Sequence, residues 1–303
     1  MDKAGLISEI NRLKREKNAV ILAHSYQNIE IDEVADFVGD SLELSRKAKN
    51  TDASTIVFCG VYFMAETAKL LSPEKTVLIP KREASCEMAD MITAKKLGEF
   101  KAKHPDIPVV CYINSTADVK ALSDICCTSS NAVKVVQSVE GKDVLFVPDR
   151  NLGAYVQTKL TGKNIIPFDG CCPVHDQLTA EDVKLQKTQH PNAVVLAHPE
   201  CKKEVLELSD FVGSTKSIFE YVKTSKEEEF IIATETGVVE RLQRDYNRKK
   251  FWLISPKAVC KNMKYITLGD VFNSLKNDTF KVELSQDTQQ KAVSTIEKML
   301  KIS

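Results

Sequence analysis

"AVILAHSYQNIEIDEVADFVGDS" (residues 19–41) recurs twice without a gap, as "IPVVCYINSTADVKALSDICCTS" (107–129) and "AVVLAHPECKKEVLELSDFVGST" (193–215). Each copy opens on a short apolar run and reaches His24, Tyr112 or His198. Twelve residues on stands Asp36, Asp124 or Asp210, and five further Ser41, Ser129 or Thr215. Self-similarity at a fixed long period marks repeated supersecondary units.

The register continues past each copy. A second apolar run holds Phe58 ("TIVFCG"), Phe146 ("VLFVPD") or Ile232 ("FIIATE"), and a third reads "TVLIP", "NIIPF" or "FWLIS". Segments between them, such as "SLELSRKAKN" and "SIFEYVKTS", carry helical periodicity. Strands alternating with helices predict parallel βαβ units. The expected fold is α/β: three similar parallel βαβ-type three-layer domains over residues 1–105, 106–190 and 191–303, the last with a C-terminal helix.

Composition excludes several classes. A chain of 303 residues exceeds one small core. Apolar residues at 43% and charged residues at 28% fit an ordinary globular protein. Lysine plus arginine (42) balances aspartate plus glutamate (42), so no basic field points to nucleic acid or an anionic membrane. No apolar run approaches the roughly 18 residues of a membrane span. The opening "MDKAGLISEINRLKREKN" is charged and amphipathic, without the apolar core of a signal peptide. Nine cysteines, an odd number, fit reduced thiols in a cytoplasm better than a disulfide framework.

Three of those cysteines keep the repeat register. Cys86, Cys172 and Cys260 stand just beyond the third apolar run of each unit, 86 and 88 residues apart (172 − 86 and 260 − 172). Seven residues after each comes Thr93, Thr179 or Thr267, the expected N-cap of a further helix. Functional groups of open parallel sheets collect outside the carboxyl ends of the strands. Three units facing one another there would bring the thiols to a common axis, giving pseudo-threefold symmetry around a central active site. Three soft ligands favour zinc or an iron–sulfur cluster. Zinc would need a fourth ligand, for which His175 is the candidate. A [4Fe–4S] cluster on three cysteines keeps one open iron, able to act as a Lewis acid. Duplication copies core residues as well, so three buried structural cysteines are the alternative.

Other residues share the same rim. Ser41, Ser129 and Ser130, and Ser214 and Thr215, stand where helices begin, and helix N-termini receive phosphate or carboxylate. His24, Tyr26, Tyr112, Asn114, His198 and Glu200 follow the first strand of each unit, and several of these can move protons. Glu235 lies past a second strand on the same side. No Gly-rich dinucleotide fingerprint or P-loop occurs.

The ordered series "AHSYQ", "DSLELSR", "GVYFMAET", "CYINS", "TSSNA", "PDRNLG", "CCPVH", "AHPEC", "VGST", "ATETG" and "CKNMK" resembles the quinolinate synthase family from about residue 19 to 264. The resemblance implies three α/β domains about a pseudo-threefold axis and a [4Fe–4S] cluster held by Cys86, Cys172 and Cys260. It implies condensation of iminoaspartate with dihydroxyacetone phosphate to quinolinate, phosphate and water, a step toward NAD. It also implies small-molecule partners only, with iminoaspartate supplied transiently by an aspartate-oxidising enzyme. His24, Tyr26, Tyr112 and Glu200 resemble the acid–base group, and Asn114, His175 and His198 the orienting group. Ser41, Ser129, Ser214 and Thr215 resemble the clamp for anionic groups. Some members carry extra cysteines near the third ligand; only Cys260 stands here, so no redox switch is expected there.

Two rival readings remain at this stage. The diphthamide-forming family also resembles three repeated α/β domains with one cysteine each, but cleaves S-adenosylmethionine; the polar motifs favour quinolinate synthase. A non-catalytic iron–sulfur redox sensor would need neither the anion clamp nor the histidine–tyrosine rim.

Overall fold

A computed structural model describes residues 1–302. The first sheet holds β1 (Ala19–His24), β2 (Phe37–Gly39), β3 (Thr55–Cys59) and β4 (Thr76–Leu78) in the order β2-β1-β3-β4. The second repeats that order with β5 (Val109–Tyr112), β6 (Ile125–Cys127), β7 (Asp143–Val147) and β8 (Asn164–Pro167). The third does so with β9 (Val194–Ala197), β10 (Phe211–Val212), β11 (Glu229–Ala233) and β12 (Lys250–Leu253). Every strand pairing in the three sheets is parallel.

Parallel strands need crossover helices, which bury both sheet faces and demand unbroken apolar runs. β3 accordingly is buried at every residue. In the third domain the two-residue period of the strands separates two cores. Val195, Ala197, Ile231 and Ala233 face one layer, and Leu196, Phe230, Ile232 and Phe251 the other.

The repeated aspartates are clips. Oδ2 of Asp36, Asp124 and Asp210 accepts the backbone N–H of Ile21, Val109 and Val195, each at 2.8 Å. Their own N–H groups donate to the carbonyls of the same three residues. Each short edge strand is thereby tied to its neighbour at the end remote from the site. A lysine series does similar work: Lys75, Lys163 and Lys249 donate to carbonyls ending the helices Ser41–Asn50, Ala132–Ser138 and Thr215–Thr224. A cation there complements the helix dipole. Thr93, Thr179 and Thr267 cap the helices Ala94–Lys103, Ala180–Gln189 and Leu268–Asn277.

Chain order puts the last residues after the third repeat, but packing puts them on the other two. The helix Leu268–Asn277 lies against the N-terminal helix Lys3–Glu16 and β3. Lys281 then bridges Leu78 on the outer edge of the first sheet. The helix Gln286–Ile302 covers β6 and the helix Ala117–Ala121 of the second domain. Its Ile296 and Met299 join the core shared by the first two domains. The chain so closes a ring, with the three sets of strand ends facing inward. Among the described residues no helix is long and apolar enough to cross a membrane.

Candidate active site

The strand ends meet at a cavity of about 450 Å³. His24 ends β1, Tyr112 ends β5 and His198 follows β9, and all three line it. Tyr26, Asn114, His175 and Glu200 line it as well. So do Ser41, Ser129 and Thr215, and the three in-register cysteines. Ser214 is the one expected site residue that does not: it is buried as the cap of Thr215–Thr224, its hydroxyl accepting the Ser217 N–H at 3.3 Å.

Ties between domains hold the rim together. The Ser130 hydroxyl donates to Asp40 Oδ2 at 3.1 Å, joining the second domain to the cap of the helix that Ser41 begins. Lys216 of the third domain pairs with Glu43 of that helix at 2.9 Å. Arg241, 2% exposed, reaches from the third domain to the carbonyls of Ser25 (2.8 Å) and Gln27 (3.0 Å) and pairs with Asp32. It thereby brackets Tyr26.

Each cysteine opens a short helical turn. Cys86 precedes Glu87–Met91, Cys172 precedes Pro173–Asp176, and Cys260 lies ahead of the 3-10 turn Met263–Tyr265. Their carbonyls accept the N–H four residues on, from Asp90, Asp176 and Lys264. Backbone N–H groups of the same turns face the sulfurs: Met88 and Ala89 for Cys86, His175 for Cys172, Asn262 and Met263 for Cys260. Burial pushes the thiols up, Cys86 to about 12, Cys260 to about 11 and Cys172 well above its usual value. These sites thus disfavour a free thiolate while supplying the donors that stabilise sulfur bound to a metal.

All nine cysteines are free. Cys59, Cys111, Cys126 and Cys127 are buried in strands β3, β5 and β6, and Cys201 bonds to the Ala233 carbonyl at 3.4 Å behind the site. Cys171 does not line the cavity. Among the described residues, three thiols, one from each repeat, therefore line the cavity and no fourth does. That donor set fits a [4Fe–4S] cluster with one iron lacking a protein ligand. The ligand atoms of Cys172, His175 and Glu200 also lie within 4.8 Å of one another, a spacing that a single metal ion could use.

Glu200 organises the acid–base side. Its Oε2 lies 2.7 Å from His175 Nδ1 and 3.6 Å from His198 Nδ1, and Tyr112 hydrogen-bonds it. Burial opposes its ionisation, but His198, His175 and the Tyr112 hydroxyl outweigh that and keep the carboxyl below its usual range. Burial drives His198 to about 3, and burial with the nearby Arg241 does the same to His24, so both rings are neutral near pH 7. Burial also raises Tyr26 and Tyr112 well above the ordinary phenol value, which keeps both hydroxyls protonated. On this side the cavity so offers the Glu200 carboxylate, the Tyr26 and Tyr112 phenols and the neutral His24 and His198 rings.

Several residues at or beside the cavity lie outside the set expected from sequence. Thr234 Oγ1 is 2.8 Å from the Tyr26 hydroxyl and 2.8 Å from His175 Nε2, linking all three domains. Its signal was its place in "ATETG", beside Glu235. Lys257 and Lys261 line the cavity and are exposed. Asp149 is fully buried, and only its 86-residue offset from Glu235 (235 − 149) marks it in the sequence.

Three parallel α/β domains opening their strand ends onto one shared, proton-carrying cavity define an enzyme whose site belongs to no single domain. The family model described as Quinolinate synthetase A protein matches residues 8–301. Quinolinate synthase of Clostridium kluyveri is 51% identical over 302 residues, covering 100% of both chains. Quinolinate synthase of Alkaliphilus metalliredigens is 50% identical over 302 residues with the same coverage. Quinolinate synthase 2 of Methanosarcina acetivorans is 50% identical over 303 residues, 100% of this chain and 97% of that one. The chain belongs to the quinolinate synthase family, enzymes that condense and dehydrate to make quinolinate in NAD biosynthesis.

Proposed function

We propose that this chain forms quinolinate from iminoaspartate and dihydroxyacetone phosphate, releasing phosphate and water, with a [4Fe–4S] cluster on Cys86, Cys172 and Cys260. The observation that carries the reading is that three thiols from three domains line the same cavity as the acid–base group. When bound, the cluster supplies a Lewis-acidic iron with an open position for a substrate hydroxyl or carboxylate.

The chain's own residues bind, orient and move protons. The hydroxyls of Ser41 and Thr215, at the first turns of their helices, and that of Ser129 receive phosphate and carboxylate groups. Ser214 supports that clamp by capping the Thr215 helix. Asn114 Oδ1 is buried without a hydrogen-bond partner, an acceptor suited to the N–H of an imine. Glu200, ionised, accepts a proton, while the Tyr26 and Tyr112 hydroxyls donate to a departing oxygen. In neutral His24 and His198, Nδ1 accepts the backbone N–H of Tyr26 (3.2 Å) and Glu200 (3.4 Å), which leaves Nε2–H as a donor on each ring, and His175, beside both Cys172 and Glu200, orients the substrate between them. Lys257 and Lys261 draw anionic substrates to the mouth.

Both substrates are small, and the balanced net charge offers nothing to nucleic acid. An imine hydrolyses in water, which favours direct supply from an aspartate-oxidising enzyme. Nine free thiols fit a reducing cytoplasm. The test is anaerobic: the iron-loaded chain, given both substrates, yields quinolinate detected by mass, and a fully loaded chain that yields none overturns the proposal.

A further inference from the structure

Asp149 and Glu235 are buried carboxylates that occupy one register position of the second and third repeats. Each caps the helix after its strand, Asp149 for Arg150–Lys159 and Glu235 for Thr236–Asp245. One oxygen serves that cap: Asp149 Oδ1 accepts Leu152 N–H at 2.8 Å and Glu235 Oε2 accepts Gly237 N–H at 2.6 Å. The other oxygen reaches a cysteine. Asp149 Oδ2 accepts Cys172 N–H at 3.1 Å, and Glu235 Oε1 accepts Cys260 N–H at 3.2 Å and pairs with Lys264 Nζ of the same loop at 3.4 Å. A cap alone is served by one oxygen, as in serine or threonine. Burying a full carboxylate is costly unless its lone pairs are filled. The second oxygen, spent on a residue more than twenty positions away, is therefore the distinctive feature.

The first repeat lacks this device, because the equivalent position is Val61, which has no acceptor. There the cysteine loop is held from outside: Asn262 Nδ2 of the Cys260 loop donates to the Ser85 carbonyl at 2.9 Å. A chain of contacts thus runs from Glu235 through the Cys260 loop to the residue before Cys86.

We propose that Asp149 and Glu235 are positioning residues for the metal centre, fixing the backbones of Cys172 and Cys260 so that their sulfurs meet the third on Cys86. The inference rests on the reading of these cysteines as cluster ligands. It orders the effects: Asp149 governs one ligand, whereas Glu235 governs Cys260 directly and Cys86 through Asn262.

The test uses full-length Asp149→Asn and Glu235→Gln, which keep an oxygen for the cap and place an NH₂ where the cysteine N–H needs an acceptor. Asp149→Ser and Glu235→Ser, which keep a capping hydroxyl and drop the tie, serve as the second pair should either isostere fail to fold. Far-UV circular dichroism of the metal-free chains establishes the fold. After anaerobic reconstitution, iron loss to EDTA and the cluster's reduction potential are measured. Iron loss is expected to quicken about tenfold or more, faster for Glu235→Gln than for Asp149→Asn, with a shifted potential. Asp36→Ala, which cuts a strand clip remote from the site, should leave both readings as in the wild type. Folded variants with wild-type iron loss and potential overturn the inference. A wild-type chain that takes up no iron sinks the cluster reading and this inference together.

Discussion

Glu200 and His175 belong to different repeats, yet Oε2 of one lies 2.7 Å from Nδ1 of the other, both nearly sealed from solvent. The same Nδ1 is 3.2 Å from Cys172 Sγ. One imidazole thus touches both the carboxylate and a candidate metal ligand. Glu200→Gln removes the charge but keeps the shape. We expect kcat to fall by about 10²–10⁴ with a much smaller change in KM, measured on variant and wild type of equal iron content.

Neighbouring cysteines should separate cleanly. Cys172 lines the cavity and Cys171 does not. Serine is a poor substitute for a thiolate in a soft-ligand site. Cys86→Ser, Cys172→Ser and Cys260→Ser should each lose most bound iron and all quinolinate formation. Cys171→Ser should keep both, as read by iron and sulfide content after anaerobic purification.

Arg241 is a structural tie with a catalytic consequence. Arg241→Met leaves the Ser25 carbonyl without its donor and the Gln27 carbonyl with only Lys264 at 3.5 Å, and removes a buried partner of Asp32, which retains Arg244 at 2.7 Å. The expected cost is about 3 kcal/mol, seen as a lower urea midpoint. Activity should fall as well, because the bracketed Tyr26 loses its fixed position against Thr215 and Thr234.

Acid should weaken the fold through two histidines. His24 and His198 are held near 3 in the folded chain, against 6.5 when exposed. Below pH 6.5 the unfolded chain takes up protons that the folded chain refuses, so stability is full above that pH and declines down to about pH 3. Each ring contributes a slope of about 1.4 kcal/mol per pH unit in that window. Urea unfolding of the metal-free chain at pH 7 and pH 5 measures it, and His24→Gln should remove about one ring's share.

The repeats and the cysteine register were visible in the sequence because parallel strands buried on both faces must be written as apolar runs. The edge strands β2, β6 and β10 were not, since two or three residues are too few for a pattern to show. Asp36, Asp124 and Asp210 stood out by spacing, but spacing did not say that they clip strands. Ser214 and Thr215 are adjacent at a helix start, and only the helix's orientation aims the second at the cavity and turns the first into a cap. The helix Gln286–Ile302 follows the third repeat in the chain but finds its apolar partners on the second.

By itself the sequence determined the repeated α/β unit, its period and the kinds of chemistry each copy carries, because backbone geometry imposes those patterns over a few residues at a time. Tertiary structure alone decided which copies touch: Tyr26 on Thr234, Glu200 on His175, Arg241 around Tyr26. Such contacts depend on how whole domains pack, and no spacing along one chain encodes a distance between two of them.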